Sequence, residues 1–192
     1  MMLDVAILLG SVRSDRIGIK PARYLLDKCR ERGFETTLVD PVEFDLPLLD
    51  RMYKEHPQGQ APEPLERLAD IIRRADAYLV VSAEYNHSIP PALSNLIDHF
   101  LEEYFFKVSA IACYSAGAFG GVRAAMQLRA MLGEIGTVTI PSILPFPKAG
   151  QAFDDSGQPT EARTEKSTAK FLDELAWYAE ALQAKRATGT PY

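Results

Sequence analysis

Histidine, cysteine and tryptophan are scarce in this 192-residue chain, which carries three, two and one of them. Cys29 and Cys113 lie far apart and form neither a CxxC pair nor a zinc spacing, so both are expected as buried free thiols. His56, His87 and His99 are dispersed, with no HExxH, and no metal site is expected. His99 sits on an apolar helical face and reads as a core or interface residue. A serine hydrolase needs the order Ser, acid, His; every histidine precedes Ser115 of "CYSAG", so that class fails. Absence of G-x-G-x-x-G and of G-x-x-x-x-G-K-[ST] excludes a dinucleotide-binding dehydrogenase and a P-loop enzyme. Positive charge is not in excess either: the net charge is −5 and the pI about 5.3, which argues against a broad nucleic-acid surface. No apolar run approaches membrane length and no secretory leader pattern opens the sequence, so no membrane contact and a cytoplasmic location are expected.

What remains is ordinary for one globular domain over 1–192, with 47% apolar and 24% charged residues. The tail after Lys185 is expected to fray. Leu3–Leu9, Ala77–Ala83 and Val108–Tyr114 are short, nearly continuous apolar runs, as strands buried on both faces of a parallel sheet require. Thr36–Val39 and the β-branched Thr137–Ile143 complete five strands. Between them, apolar residues recur at helical spacing: Leu25 and Cys29, Leu65 and Leu68, Leu93 and Leu96, Leu128 and Leu132, then Phe171 and Leu175. Strand and helix alternate five times. That order predicts an α/β, flavodoxin-like three-layer sandwich with a five-stranded parallel sheet in the order 2-1-3-4-5.

In such a sheet, ligands bind beyond the carboxyl ends of the strands, near the switch point between the first and third. Three loops leave those ends. The first, "GSVRSDRIGIK", places Arg13, Arg16 and Lys20 after the first strand of an acidic protein. Gly10 turns the chain, Ser11 and the following amides can donate to an anion, and both arginines present planar donors suited to phosphate. Gly18 permits close approach. Alone, this could be a solvated loop; its position argues for a single-phosphate cradle. The second loop, "SAEYNHSIPPALSNLID", offers Tyr85, Asn86 and backbone amides suited to a flat heteroaromatic ring. In the third, "YSAGAFGGVRA", Gly117, Gly120 and Gly121 let backbone approach a ligand or a partner chain.

These motifs resemble those of the NAD(P)H-dependent FMN reductase family of flavodoxin-like proteins, which includes quinone, azo-dye and chromate reductases. "GSVRSDRIG" is similar to the family's G-S-x-R-x-x-R/S-x-G phosphate loop, and "AEYNHSIPPALSNLID" to its P-E-Y-N-x-S-x-P-x-x-L-K-N-x-I-D signature. "DLPLLD" and "GGVRAAMQLR" resemble the segments after its second and fourth strands. Ala83 and Ser94 depart from the signature proline and lysine. The resemblance implies noncovalent FMN, its phosphate at Ser11, Arg13, Arg16 and Gly18. It also implies an isoalloxazine ring lying against Glu84, Tyr85, Asn86 and the Ser115–Gly121 loop. NADPH or NADH would be the reductant, a small molecule the electron acceptor, and a homodimer or homotetramer the assembly. A flavodoxin-like electron carrier or an FMN sensor is the rival reading, and the arginines of the first loop favour the reductase. For the assembly, "HFLEEYFFKV" is expected to expose at least one of Tyr104, Phe105 and Phe106, with Met52 and Tyr53 adding apolar surface.

Overall fold

A computed structural model describes residues 2–192. Its sheet is built from β1 (Asp4–Leu9), β2 (Glu35–Val39), β3 (Ala77–Ala83), β4 (Val108–Tyr114) and β5 (Val138–Phe146). All pairings are parallel, in the order β2-β1-β3-β4-β5. Every residue of β1, β3 and β4 is buried, which is why these strands read as unbroken apolar runs. The edge strand β5 extends three residues beyond its expected end, to Phe146. Its register against β4 shifts between Ser109 and Ile111, opposite the stretch holding Pro141; a proline that cannot donate to the ladder is tolerated at such an edge irregularity.

Seven helices connect and flank the strands: α1 (Ile19–Glu31), α2 (Pro41–Phe44), α3 (Glu63–Arg74), α4 (Pro91–Asp98), α5 (Val122–Glu134), α6 (Ala149–Ala152) and α7 (Ala162–Arg186). On one face of the sheet, Leu25 of α1 and Phe171 and Leu175 of α7 pack on Ile7, Leu9 and Val81. On the other, Leu68 of α3, Leu93 and Leu96 of α4 and Leu128 of α5 pack on Leu8 and Val80. Alternate residues of one strand therefore serve opposite cores. Helix α3 carries Glu63 and Glu66 in its first turn and Arg73 and Arg74 in its last, the arrangement its dipole favours.

The aromatic cluster departs from expectation. Tyr104 is buried and its ring meets Tyr78 edge-on at 5.0 Å, while Phe105 and Phe106 are half-buried against each other and against Tyr192. Tyr53 is buried too, donating from its hydroxyl to Glu66 and stacking near Phe100. These rings are therefore not the exposed patch the sequence suggested: the long β2–α3 connection and the α4–β4 turn pack inward within one subunit. His99 is buried, with Nδ1 2.6 Å from the Asn95 carbonyl.

Candidate functional site

The three loops converge at the carboxyl edge of the sheet, beside the boundary between β1 and β3. In the first, Gly10 donates its N–H to the Val81 carbonyl, and a Cβ there would press on Leu93 at 3.0 Å. Gly10 thus seats the loop on β3. Among the described residues, the N–H groups of Ser11 to Asp15 have no protein acceptor. Five consecutive donors left free at the end of a parallel strand form an anion-binding concavity. Arg13 stands over this loop, with only a 3.4 Å approach to the exposed Asp15. Arg16 is used differently. Its two terminal nitrogens donate to the two carboxylate oxygens of Asp40, each at 2.5 Å, and one also donates to the Ser11 carbonyl. Both partners are largely buried, so Arg16 braces the loop from beneath. Lys20 points away, to the Asp154 carbonyl at 3.0 Å.

The space that Gly18 leaves free is filled from within the protein. A Cβ on Gly18 would lie 2.1 Å from the Tyr114 hydroxyl oxygen, so the close approach is that of the last residue of β4. Burial pushes the Tyr114 hydroxyl up to about 12, against the pull of a hydrogen bond with Ser11. It stays protonated and remains a donor at neutral pH. The Ser11 hydroxyl also lies 3.4 Å from that of Tyr85, linking the first loop to the second.

The second loop is a tight turn in which Tyr85 and Ser88 exchange both backbone hydrogen bonds. Asn86 (φ 52°) and His87 (φ 62°) are both left-handed, as a two-residue type I′ turn demands. Asn tolerates this region; His is less at ease there, and the turn is held from outside. Gln127 of α5 does so, accepting from the Ser88 hydroxyl at 2.6 Å and donating to the His87 carbonyl at 2.8 Å. Glu84 faces inward rather than toward the open edge. Its carboxylate accepts from the N–H groups of Arg123 and Ala124 and lies 3.5 Å from the Arg123 guanidinium. It caps α5, which has no capping side chain of its own.

In the third loop the glycines divide. Gly120 (φ 64°) and Gly121 (φ 85°) are left-handed and pressed on Pro145 and on the Tyr114 backbone, so they allow the loop to pack. Gly117 is exposed, with nothing near its Cβ position. Ser115 donates to the Phe146 carbonyl, while the N–H groups of Ala116, Gly117 and Ala118 have no acceptor among the described residues.

Ser11, Arg13, Tyr85, Asn86, Ser115 and Gly117 therefore come together with usable polar groups at one edge. Gly10, Gly18, Gly120 and Gly121 shape the backbone, and Arg16 and Glu84 are tied to protein partners. Asp40, Tyr114 and Gln127 escaped the sequence reading. The signal for Asp40 was an acid at the end of a strand opposite an arginine-bearing loop. No local pattern marked Tyr114 or Gln127. Asn95, inside the signature, accepts from the Leu49 N–H and donates to the Pro47 carbonyl, pinning the "DLPLLD" segment.

A parallel five-stranded sheet with a single-phosphate cradle and a ring-edge turn at its switch point defines a flavodoxin-like flavoprotein. Residues 3–151 match the family described as NADPH-dependent FMN reductase. The chain is 33% identical over 182 residues to a quinone reductase of Pseudomonas putida, covering 90% of this chain and 92% of that protein. It is also 33% identical to the quinone reductase of Escherichia coli over 68% of this chain and 69% of that protein. Among solved structures, FerB, a flavoenzyme NAD(P)H:(acceptor) oxidoreductase from Paracoccus denitrificans, superposes with a TM-score of 0.78 at 28% identity, covering 94% and 98% of the two chains. The protein belongs to the NADPH-dependent FMN reductase family. It is accordingly an oxidoreductase with FMN as cofactor and NAD(P)H as reductant.

The residues present fit that cofactor. Free amides and Arg13 match one terminal phosphate, and the donors at Asn86 and Ala116–Ala118 match the polar edge of a flat ring.

Proposed function

We propose that the protein passes reducing equivalents from NAD(P)H to a small oxidised acceptor (a quinone, azo compound, free flavin or metal oxyanion) by a ping-pong mechanism. The observation that carries this reading is the row of unpaired donors shared by three loops, open only beside Gly117. FMN, when bound, supplies the hydride relay between the two substrates. The amides of Ser11–Asp15 and the Arg13 guanidinium hold its phosphate; Arg16, through Asp40 and the Ser11 carbonyl, keeps those amides in place. The rigid Tyr85–Ser88 turn positions the ring, and free N–H groups at Asn86 and Ala116–Ala118 stabilise negative charge at its edge. No side chain of the site is required to give or take a proton. With one accessible face, reductant and acceptor must take turns on it.

We further propose that the enzyme is a cytoplasmic homo-oligomer whose partner subunit helps wall the site. The apolar surface that supports assembly is Val12, Val42, Leu48 and Leu49, exposed beside the phosphate loop. The test is direct: heat-released cofactor should run as FMN and not FAD. Initial rates with NAD(P)H and a quinone should give parallel double-reciprocal lines. Intersecting lines would overturn the shared face, and no NAD(P)H oxidation by FMN-loaded protein would favour an electron carrier. Light scattering that finds a fully active monomer would remove the assembly.

A further inference from the structure

The three loops leave a second feature of the same sheet edge unused. A groove of about 780 Å³ lies between the end of β5, α6 and the first half of α7. Helix α7 begins at the carboxyl edge and ends at the opposite one, where Arg186 pairs with Asp76, so the groove shares the edge of the flavin loops. The two are continuous: Ala118 of the third loop lines the groove. In addition, Lys148 and Ala149 donate their N–H groups to the carbonyls of Gly117 and Ser115, both at 2.9 Å.

The lining has two characters. Ile143, Pro147 and Phe171 form an apolar wall. Facing it are Lys148, Arg163 and Lys170, three cations against one carboxylate, Glu161, in a chain whose net charge is −5. Glu161 is engaged by Arg163 at 2.5 Å, and among the described residues neither lysine has a carboxylate partner. The spacing Arg163, Ser167, Lys170 puts these polar groups on one face of α7. Lys148 is held left-handed (φ 47°), an unfavourable conformation for a residue with a Cβ, by the bonds that tie its loop to Gly117. A neutral quinone has no use for such a set. A nucleoside carrying a dianionic phosphate matches both the flat wall and the cations.

We propose that this groove receives the adenosine 2′-phosphate end of the reductant, the adenine on the Ile143–Phe171 wall and the phosphate between Lys148, Arg163 and Lys170, which makes the enzyme selective for NADPH over NADH. The proposal deepens the reading of the protein as an NAD(P)H-driven flavin enzyme and rests on it.

Calorimetric titration of the FMN-loaded protein with adenosine 2′,5′-bisphosphate tests it, with 5′-AMP and inorganic phosphate as controls. The bisphosphate should bind more tightly than either control, and more weakly as salt is raised. Lys170→Ala and Lys148→Ala should each weaken it roughly five-fold, the scale of an exposed charge-assisted contact. The double variant should raise the KM for NADPH relative to that for NADH about ten-fold, the scale of two such contacts together. Equal binding of 5′-AMP, or no change in the lysine variants, would overturn the proposal. An FMN fluorescence titration of the same proteins keeps the two readings apart. Intact FMN affinity with lost bisphosphate discrimination defeats the groove alone, and bisphosphate binding by a protein that ignores FMN defeats the flavin reading alone.

Discussion

At the amino edge of the sheet, Asp76 accepts from the Asp4 N–H, from Gln183 and from Arg186, and its own N–H donates to the Asp4 carbonyl. Nearby, Lys107 is buried and donates to the carbonyls of Ile72 and Arg73 and to the Tyr78 hydroxyl, at 2.7, 2.8 and 3.0 Å. At the carboxyl edge, the amides of Ser11–Asp15 and Ala116–Ala118 donate to nothing in the protein, and Arg13 is exposed. Both edges are rich in charge and hydrogen-bonding capacity. One spends that capacity internally, fastening α7 to the sheet; the other keeps it for a ligand. A charged residue thus shows its role less by its type than by whether the fold has already satisfied it. Arg16 stands between the two regimes: it lies in the ligand loop yet is fastened like a residue of the amino edge.

The largest effect is expected where satisfaction is most complete. Asp76→Ala leaves Arg186 and Gln183 without their partner in a poorly hydrated place, and should cost about 3 kcal/mol of stability. Urea unfolding would show it as a lower midpoint at unchanged slope, while FMN affinity of the still-folded fraction stays as in the parent. Loss of FMN affinity with unchanged stability would reverse the contrast between the edges.

Arg13→Ala should do the opposite, weakening FMN binding by roughly 1.5–3 kcal/mol without lowering the unfolding midpoint of the apoprotein. Arg16→Ala should lower both affinity and midpoint, since the Asp40 pair is lost with the donor. Lys20→Ala, with its ammonium on Asp154, should change FMN affinity little. Equal FMN binding by the Arg13 and Lys20 variants would show that the phosphate does not sit on this loop.

The smallest effect sharpens the comparison through pH. Burial, helped by Arg186, lowers Lys107 from 10.5 to about 8. Between these values the unfolded chain holds a proton that the folded protein lacks, so stability from this group rises with pH, by up to about 1.4 kcal/mol per unit. Burial pushes the Cys29 and Cys113 thiols up from 9.0 to about 12, so above pH 9 the folded protein holds the extra protons and stability falls. Urea unfolding should therefore show stability gained from about pH 8 to 9 and lost beyond it, and Lys107→Met should abolish the gain. A gain that persists in that variant would assign the titration elsewhere.

Much of this molecule was readable in the chain itself. Continuous apolar runs at Leu3–Leu9, Ala77–Ala83 and Val108–Tyr114 mark strands covered on both faces, and their alternation with 3.6-period segments leaves one economical topology, which the structure has. The loops that follow those strands carried the family's motifs, because binding backbone needs particular residues at particular offsets. Tertiary structure alone decided which residues of those motifs remain available. Arg16 is taken by Asp40, 24 positions on, and Glu84 by the start of α5. Gly18 gives its space to Tyr114, and Phe105 and Phe106 turn in toward Tyr192. A motif records donor types and local backbone freedom over a few residues. Whether a donor is consumed depends on partners that only chain folding brings within about 3 Å, a distance at which one hydrogen bond excludes another.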